Sequence, residues 1–334
     1  MNNSDLSGQR VLLTGATGFL GGATAVILAG QGAQVRALAR RPEKGVFLKS
    51  RENIEIVQGD ITDAERMRSV SEGCDYVVHV AAALGGTLKY QERMNVEGTR
   101  NVMLGAASAG VKRVVHVSSI AVYGYHYEGD ITEDFIQKPG RVPYNITKSQ
   151  AEMVVREIGT AHDVPYSIIR PGMIYGPRSN AWTKTIFRLA RLRPTPFLGD
   201  GSGFVHPIYV DDVVSMIVAA LTHPMAVGEA FNCSADPAPT WRAFIGGYSQ
   251  LAGHSRWLAL PVFPMKIISP LIETLLTLRG EPQELPALIT FLSAHKTYRT
   301  TKAQELLGWS AQVSLQTGIQ RCAPWLREQG LLHE

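Results

Sequence analysis

Thr14-Gly15-Ala16-Thr17-Gly18-Phe19-Leu20-Gly21 is the stretch that decides the fold of this chain. It stands between a short apolar run, Val11–Leu13, and a helical pattern that extends from Phe19 to Ala29. A first glycine allows a tight turn, a second lets a pyrophosphate approach bare backbone, and a third lets the helix pack close to the strand. The helix start also offers free N–H groups to an anion. We therefore predict a dinucleotide phosphate cradle formed by Gly15, Thr17, Gly18, Phe19, Leu20 and Gly21.

The chain contains 32 glycines, so the spacing alone is a weak signal, and its position between a strand and a helix carries the prediction. Short β-rich runs alternate with helical patterns through the first half of the chain. This alternation implies right-handed crossovers and a parallel sheet covered on both faces. The predicted strands are 11–13, 34–39, 54–57, 76–80, 113–117 and 166–169, and the longest helices are 92–109 and 144–161.

The regular alternation fades after Pro171, where proline and glycine become frequent. We predict a Rossmann-type, doubly wound α/β domain over residues 1–175. Residues 176–334 are expected to form mainly a smaller substrate-binding lobe, with some segments returning to the sheet. Ligands of such sheets bind at the carboxyl ends of the strands.

Composition excludes several classes of protein. The 334 residues are 45% hydrophobic and 19% charged, which is enough apolar material for a full core. A net charge of +4 without a basic run argues against a nucleic-acid partner. Three scattered cysteines suggest neither a metal site nor disulfides, so we expect a reducing, cytoplasmic compartment. The polar start is unlike a signal peptide, and prolines and charges make 257–278 a poor membrane span.

The end of the second strand bears on the type of cofactor. Arg40 and Arg41 stand where an acidic residue would select NAD(H) by accepting both ribose hydroxyls. Because a guanidinium can bind a 2′-phosphate through two hydrogen bonds, we favour NADP(H), with NAD(H) as the alternative. Two solvated arginines would give the same pattern.

Two further strand ends are candidates for cofactor contacts. Asp60 could accept a hydrogen bond from an adenine amino group, with Ile61 against the ring, although a helix-capping role for Asp60 would also fit. Ala81 and Ala82 are small enough to leave room for a nicotinamide ribose. Simple helix packing would also explain these alanines.

Tyr144 and Lys148 form a Tyr-x-x-x-Lys pair, which shares one face of a helix. Moving a phenol from a pKa of about 10 to near 7 takes about 4 kcal/mol. An ammonium at about 4 Å supplies roughly that at an effective dielectric constant of about 20. Tyr144 could then exchange a proton with a carbonyl or alcohol oxygen while a hydride moves, and Lys148 could hold ribose hydroxyls.

A second such pair, Tyr298 and Lys302, means that spacing alone does not decide. Tyr144 is favoured because Ser118 and Ser119 end the fifth predicted strand and would lie on the same sheet edge. We take Ser119 as the hydroxyl that polarises the substrate oxygen and Ser118 as the weaker candidate. Tyr298 has no comparable partner and is expected near the surface.

These residues together resemble the extended short-chain dehydrogenase/reductase superfamily, also called the NAD-dependent epimerase/dehydratase group. The likeness covers nearly the whole chain: the glycine turn, Asp60, Ser119 with Tyr123-Gly124, Tyr144/Lys148, Arg170–Pro177, Tyr209–Asp212 and Lys302–Trp309. The resemblance implies that Pro171 and Ile174 line the nicotinamide pocket. It also implies a homodimer formed through the helices near 92–109 and 144–161.

One departure from the family pattern bears on the substrate. Nucleotide-sugar enzymes commonly carry an Arg-Asp pair where this chain has Val205 and His206. A buried diphosphate without its cation would be costly. Arg188, Arg191 and Arg193 could compensate, although a solvated basic face is the favoured interpretation. His206 could contact substrate, and Asp211 and Asp212 are expected to cap the following helix.

The apolar stretches 263–278 and 286–292 are similar in style to the branch that holds hydroxysteroid dehydrogenases and dihydroflavonol-type reductases. Such helices usually belong to the core. The alternative that would bear on function is a hydrophobic substrate pocket or a membrane-surface contact.

Three functions therefore stand as hypotheses. The first is an NADP(H)-dependent oxidoreductase that interconverts a ketone and a secondary alcohol on an apolar or aromatic, non-nucleotide small molecule. The second is a nucleotide-sugar epimerase or dehydratase with tightly bound NAD(P). The third is a non-enzymatic NADP sensor, which ranks last because the chain keeps both Tyr144 and Lys148.

Overall fold

A computed structural model describes residues 6–125, 127–278 and 285–333. Its strands are β1 (Arg10–Thr14), β2 (Gln34–Ala39), β3 (Ile54–Gln58), β4 (Tyr76–His79), β5 (Arg113–Val117), β6 (Gly129–Ile131), β7 (Tyr166–Pro171), β8 (Met173–Tyr175), β9 (Thr195–Leu198), β10 (Pro207–Tyr209), β11 (Ala230–Cys233), β12 (Trp257–Leu260) and β13 (Lys296–Tyr298).

The α-helices are α1 (Phe19–Gly30), α2 (Val46–Lys49), α3 (Ala64–Ser71), α4 (Leu88–Gln91), α5 (Gly98–Ala109), α6 (Pro143–Ala161), α7 (Ile186–Ala190), α8 (Val210–Thr222), α9 (Trp241–Leu251), α10 (Val262–Leu278), α11 (Leu285–Ser293), α12 (Thr301–Leu307) and α13 (Leu315–Glu328). A π-helical turn, Glu92–Glu97, joins α4 to α5 and lies inside the single helix predicted over 92–109. Each of the six predicted strands is present, with small shifts at its ends.

Seven parallel strands form the main sheet in the order β11-β7-β5-β4-β1-β2-β3. The predicted α/β, doubly wound architecture is therefore confirmed. The chain reverses its direction of winding between β1 and β4, and such a switch point opens a crevice at the carboxyl ends of the strands. β11 joins the edge of this sheet, so the chain after residue 175 does return to it. The domain boundary near residue 175 stays a prediction.

Both faces of the sheet are buried. Its strands accordingly lack the alternation of apolar and polar residues that a half-exposed sheet would show. Leu12 of β1 belongs to a cluster with apolar residues of α3, α5 and α6. Its neighbours Val11 and Leu13 belong to the opposite cluster, which includes α1 and α8. Helices thus cover both faces, as expected for parallel strands linked by helical crossovers.

The remaining elements form a smaller lobe with three two-stranded parallel pairs, β8 with β10, β9 with β12, and β6 with β13. The usual interpretation of the apolar stretch 263–278 as core is wrong. It forms α10, most of whose large apolar side chains are exposed to solvent. Within the described residues, no helix is both long enough and apolar enough to cross a bilayer.

Candidate active site

The glycine turn after β1 forms a cradle of bare backbone. Gly15 has a φ of +72°, and a Cβ there would lie 2.8 Å from the amide nitrogen of Ala81, at the end of β4. A Cβ on Gly21 would overlap the carbonyl of Gly15. Gly18 precedes α1 in an extended conformation and provides no side-chain cap, so the helix start is left for an outside acceptor. These residues fit the phosphates of a dinucleotide.

The other residues of the turn contribute differently. Thr17 and Phe19 are partly exposed, whereas the Leu20 side chain is buried in the core, so Leu20 can offer only its backbone to a ligand. Ala81 and Ala82 are partly exposed beside Gly15, where small side chains keep the crevice open.

Arg40 and Asp60 face each other at the ends of β2 and β3. The Arg40 guanidinium is 53% exposed and lies 4.0 Å from a carboxylate oxygen of Asp60. The other oxygen of Asp60 accepts hydrogen bonds from the amide and hydroxyl of Thr62, at 2.9 and 3.0 Å. Asp63, not Asp60, caps α3. Asp60 therefore keeps one oxygen for Arg40 or for a ligand.

The predicted contact between Ile61 and an adenine ring has little structural support. The Ile61 side chain is 4% exposed and packs beneath α5, where a Cβ on Gly98 would meet it at 2.6 Å. Arg41, by contrast, is exposed next to Arg40 and adds positive charge at this end of the crevice.

Tyr144, Ser119 and Lys148 come together at the carboxyl edge of the sheet. Ser119 follows β5, and its side chain lies close enough to the Tyr144 phenol to lower the pKa of that phenol. Tyr144 is the second residue of α6, and Lys148 lies one turn further along. The buried Lys148 ammonium donates to the carbonyl of Val117, at 2.6 Å. Ser118 points into the interior and is 4% exposed, so Ser119 is the serine that faces the cleft.

The expectation that Lys148 makes the phenol acidic is wrong for the protein alone. Burial raises the pKa of Tyr144, and the nearby Ser119 hydroxyl offsets that rise only in part. Burial also lowers the pKa of Lys148 to about 8, against the opposing charge of Glu152. Because its pKa is raised, Tyr144 is a protonated phenol in the free protein.

The second Tyr-x-x-x-Lys pair is not a catalytic counterpart. Tyr298 ends β13 whereas Lys302 belongs to α12, so the two do not share a helix face. Tyr298 is 1% exposed and packs against Tyr123, which corrects the expected surface position. Lys302 instead pairs with Glu229.

Asn95 is a site residue that sequence reasoning missed. Its side-chain oxygen accepts from the amide of Ala83 at 2.7 Å, and its nitrogen donates to the Ala83 carbonyl and to the Thr147 hydroxyl, both at 3.0 Å. Asn95 thereby ties the end of β4 to α6, next to Lys148. The sequence feature that could have identified it is an asparagine inside a predicted helix, because asparagine is a poor helix former.

Glu152 and Arg170 form a buried pair that was also missed. Arg170 donates to both Glu152 oxygens, at 2.9 and 2.7 Å, and to the Tyr123 hydroxyl at 2.7 Å. Both side chains are at most 3% exposed. Tyr144, Lys148 and Glu152 are spaced four residues apart and therefore share one face of α6. Because buried acids are almost always paired, this position already implied a cationic partner for Glu152.

A buried chain of hydrogen bonds supports the glycine turn from below. His79 joins the hydroxyls of Thr14 and Thr99, at 2.7 and 3.0 Å, and the Thr14 hydroxyl accepts from the Ala81 amide at 3.2 Å. Burial, with the charge of Lys148, lowers the pKa of His79 to about 3, so the imidazole is neutral. His79 is a core residue that joins β1 to α5.

The remaining predicted site residues differ in how accessible they are to a ligand. Pro171 ends β7 and is buried, whereas Ile174 of β8 is partly exposed. Asp212 does not cap α8, because it lies within that helix and accepts the amides of Gln312 and Val313 at 2.9 and 3.1 Å. His206 is fully buried, with its ring 4.6 Å from that of Tyr298.

Comparison with known proteins identifies similar proteins and a matching family. The sterol demethylase protein B of Methylococcus capsulatus is 30% identical over 335 residues, covering 96% of this chain and 99% of that protein. The UDP-glucose 4-epimerase of Mycolicibacterium smegmatis is 29% identical, with 96% and 99% coverage. The fold is shared with the UDP-glucuronic acid 4-epimerase of Bacillus cereus, solved in complex with NAD, at a TM-score of 0.77, 21% identity, and 96% and 99% coverage.

A family model described as the NAD dependent epimerase/dehydratase family matches residues 11–234, about two thirds of the chain. That range begins in β1, before the glycine turn, and ends just after β11, so it spans the whole main sheet. The chain therefore belongs to the NAD dependent epimerase/dehydratase family.

Proposed function

We propose that this protein is an NADP(H)-dependent oxidoreductase that interconverts a ketone and a secondary alcohol on an apolar or aromatic, non-nucleotide substrate. The observation that carries the proposal is the grouping of Ser119, Tyr144 and Lys148 at the sheet edge that holds the glycine cradle, with Lys148 one turn of α6 beyond Tyr144. A screen of NADPH oxidation against panels of carbonyl compounds tests it. No turnover with any ketone, together with turnover of UDP- or dTDP-sugars, would contradict it.

Each residue has a defined task in this reaction. The nicotinamide, when bound, supplies or accepts the hydride. Ser119 holds the substrate oxygen, and the Tyr144 hydroxyl gives a proton to that oxygen in reduction or receives one in oxidation. Lys148 provides a buried positive charge beside the cleft. Asn95 holds the segment after β4 against α6 through its hydrogen bond to Thr147. The protein thereby places the proton donor before the substrate binds.

The preference for NADP(H) rests on Arg40. Its guanidinium is half exposed and has only a 4.0 Å contact with Asp60, so it is available to a 2′-phosphate. We expect Arg40→Asp to raise the KM for NADPH at least about tenfold more than the KM for NADH, since a bidentate charged contact is worth about 1.5–3 kcal/mol. Steady-state kinetics with both cofactors checks this. Arg51→Asp, outside the predicted contacts, is the control, and an unchanged KM ratio in Arg40→Asp would reject the assignment.

The absence of a diphosphate cation supports the substrate class. Val205 and His206 are fully buried where the family's sugar enzymes commonly carry an Arg-Asp pair. Arg188, Arg191 and Arg193 are solvent-exposed, as expected for a solvated basic face. Similarity to the Methylococcus sterol demethylase protein B supports an apolar substrate.

A nucleotide-sugar epimerase is the second candidate, and 29% identity to a UDP-glucose 4-epimerase over 96% of this chain favours it. Such an enzyme would keep its NAD(P) through the catalytic cycle. Purified protein that carries tightly held NAD(P) and interconverts UDP-glucose and UDP-galactose would select this candidate.

The activity is expected to depend on the protonation of Lys148. Because the pKa of Lys148 in the free protein is about 8, its positive charge is lost as pH rises through that value. We therefore expect kcat/KM for NADPH to fall above about pH 8, since that parameter reports the groups of the cofactor-free enzyme. A pH profile checks this. In Lys148→Met most activity should be lost, and kcat/KM should no longer fall above about pH 8. If the fall at high pH is unchanged, it belongs to another group.

We also propose a homodimer and a reducing, cytoplasmic location. α5 and α6 pack together, and Met153 of α6 is 65% exposed on their outer side. Size-exclusion chromatography with light scattering should give twice the 36.4 kDa chain mass, and Met153→Asp should shift it to monomer. Monomer in the unaltered protein would end the dimer proposal. Three free, buried cysteines are in keeping with a reducing compartment.

A further inference from the structure

The outward side of α10 is apolar, and the side that faces the protein is mixed, with Ser269 and Glu273 beside Val262 and Leu276. Phe263, Ile267, Leu271, Leu275 and Leu278 follow a spacing of three or four residues and are between 54% and 79% exposed. Such a spacing forms one continuous stripe along a helix.

The opposite side of α10 faces the protein. Ser269 is 3% exposed and the Glu273 side chain is 15% exposed. A surface helix of a soluble protein has the reverse arrangement, with its polar side towards water. The exposed stripe on α10 therefore needs an apolar cover.

The apolar area continues onto β12, where Trp257, Leu258 and Leu260 are 37% to 50% exposed. We call residues 257–278 the apolar ledge. It contains eleven of the twenty large apolar side chains that are exposed among the described residues. So much of the exposed apolar surface in one segment marks an interaction site and not scattered surface residues.

Positive charge surrounds the apolar ledge. Between Arg256 and Ile272 the only charged residues are Arg256 and Lys266. The Arg242 guanidinium lies over the Trp257 ring at 3.9 Å. Arg191 and Arg193 are exposed just before β9, the strand that pairs with β12.

Within the ledge, Glu273 is the one acidic residue. Glu273 is paired with Arg141 at 2.9 Å. Asp200 is exposed after β9, and its carboxylate accepts a hydrogen bond from the amide of Ser202 at 2.9 Å. The ledge thus presents apolar side chains within a rim of net positive charge.

We infer that the apolar ledge binds the surface of an anionic lipid bilayer, with α10 lying in the plane of the interface. A helix of this kind buries its apolar side at the headgroup boundary, and anionic headgroups attract its basic rim. The 17 residues of α10 extend about 25 Å, less than a bilayer core of about 30 Å, so α10 does not span the membrane.

Charge disfavours a second copy of this chain as the cover. A two-fold contact places the same patch against itself, and would therefore bring the rim of Arg191, Arg193, Arg256 and Lys266 towards its own copy. Like charges held together in this way oppose association, whereas lipid phosphates favour it.

The ledge also borders the candidate active site. The Arg141–Glu273 ion pair joins α10 to the loop three residues before Tyr144. A bilayer docked on the ledge would lie beside the cleft and could present an apolar substrate directly from the lipid phase. The inference itself does not depend on the proposed function, because lipid binding can be measured without substrate or cofactor.

Vesicle flotation with the full chain tests the inference. We expect the protein to float with vesicles of equal parts phosphatidylcholine and phosphatidylglycerol, and less with phosphatidylcholine alone. Ile267→Asp/Leu271→Asp should lower the partition coefficient at least about tenfold, since each buried side chain of this size contributes substantially to transfer from water. Arg256→Glu/Lys266→Glu should abolish the preference for the anionic vesicles.

Met225→Asp/Val227→Asp is the matched control. Both residues are about half exposed and lie outside the ledge, in the segment between α8 and β11, so this variant should bind vesicles as the unaltered protein does. Circular dichroism and NADPH fluorescence check that each variant is folded and still binds cofactor.

Three results would overturn the inference. The unaltered protein could stay wholly in the lipid-free fraction, or Ile267→Asp/Leu271→Asp could bind vesicles normally. The third is a dimer in light scattering that Ile267→Asp/Leu271→Asp converts to monomer without any vesicle binding, which would assign the ledge to contact between two copies. None of these results affects ketone reduction, so they are distinguishable from failure of the proposed function.

Discussion

Tyr144→Phe is expected to lower kcat by about 10²- to 10⁴-fold, the usual contribution of a positioned general acid or base. The phenol lies beside Ser119 at the edge of the crevice, and phenylalanine keeps the ring while removing only the hydroxyl. NADPH binding should stay within about twofold, because the cradle is formed by the glycine backbone. Single-turnover kinetics and NADPH fluorescence titration measure the two quantities separately.

Tyr298→Phe is the matched control for Tyr144→Phe, since it removes a hydroxyl from the other Tyr-x-x-x-Lys pair. Tyr298 lies on β13 and not on the catalytic helix, so its variant should keep kcat within about threefold even if it is less stable. Retention of more than a tenth of the activity in Tyr144→Phe would remove Tyr144 from its proposed role.

Arg170→Met is expected to lower the free energy of unfolding by about 3–5 kcal/mol, because it leaves a buried carboxylate without its partner. Arg170 donates to both oxygens of Glu152, and the two side chains are 3% and 1% exposed. Burial would raise the pKa of Glu152, but the hydrogen bond and charge of Arg170 outweigh it and keep that pKa low. Urea unfolding followed by circular dichroism measures the loss.

The pair Arg100–Glu157 offers the control for this prediction. Its side chains are 36% and 65% exposed, with a separation of 3.8 Å, so Arg100→Met should cost about 0–1 kcal/mol. The double variant Glu152→Gln/Arg170→Met should recover part of the loss, since it removes the unpaired charge. Equal stability of Arg170→Met and Arg100→Met would show that the buried pair contributes no more than a surface one.

The pH dependence of this pair follows from the direction of the shift. The pKa of Glu152 is lower in the folded protein than its ordinary value, so the pair contributes stability above that ordinary pKa. The contribution is lost as pH falls through the folded value. In Arg170→Met, the burial of Glu152 is still opposed by the Gln137 hydrogen bond at 2.7 Å and the Arg156 charge at 4.0 Å, but no longer by Arg170. The pKa of Glu152 therefore rises, and the loss of stability at low pH should shrink.

Features that depend on near neighbours were predictable from the sequence. The glycine turn, the parallel strands and the Tyr144–Lys148 spacing all follow from local backbone geometry or from a hydrophobic run of a few residues. Ser119 was also found, because parallel strands end at one edge of the sheet. These features were sufficient to predict the Rossmann-type sheet and to place a proton donor beside a phosphate cradle.

Features that depend on packing were not predictable. The pKa of Tyr144 was expected to fall, and it rises because burial acts on the phenol while Lys148 is directed at a backbone carbonyl. Asn95 could not be assigned a role, since its partners Ala83 and Thr147 lie 12 and 52 residues away. The apolar stretch 263–278 was expected in the core because a hydrophobic run does not indicate which side of a helix faces the protein.

The order of the residues thus determined by itself the dinucleotide-binding turn, the doubly wound sheet and the identity of the candidate proton donor, since these rest on spacing within single elements. Only the tertiary structure decided the charge state of the donor, the Glu152–Arg170 pair and the exposure of the apolar ledge. Desolvation and ion pairing depend on groups that are far apart in sequence. They exist only once the chain has brought those groups together.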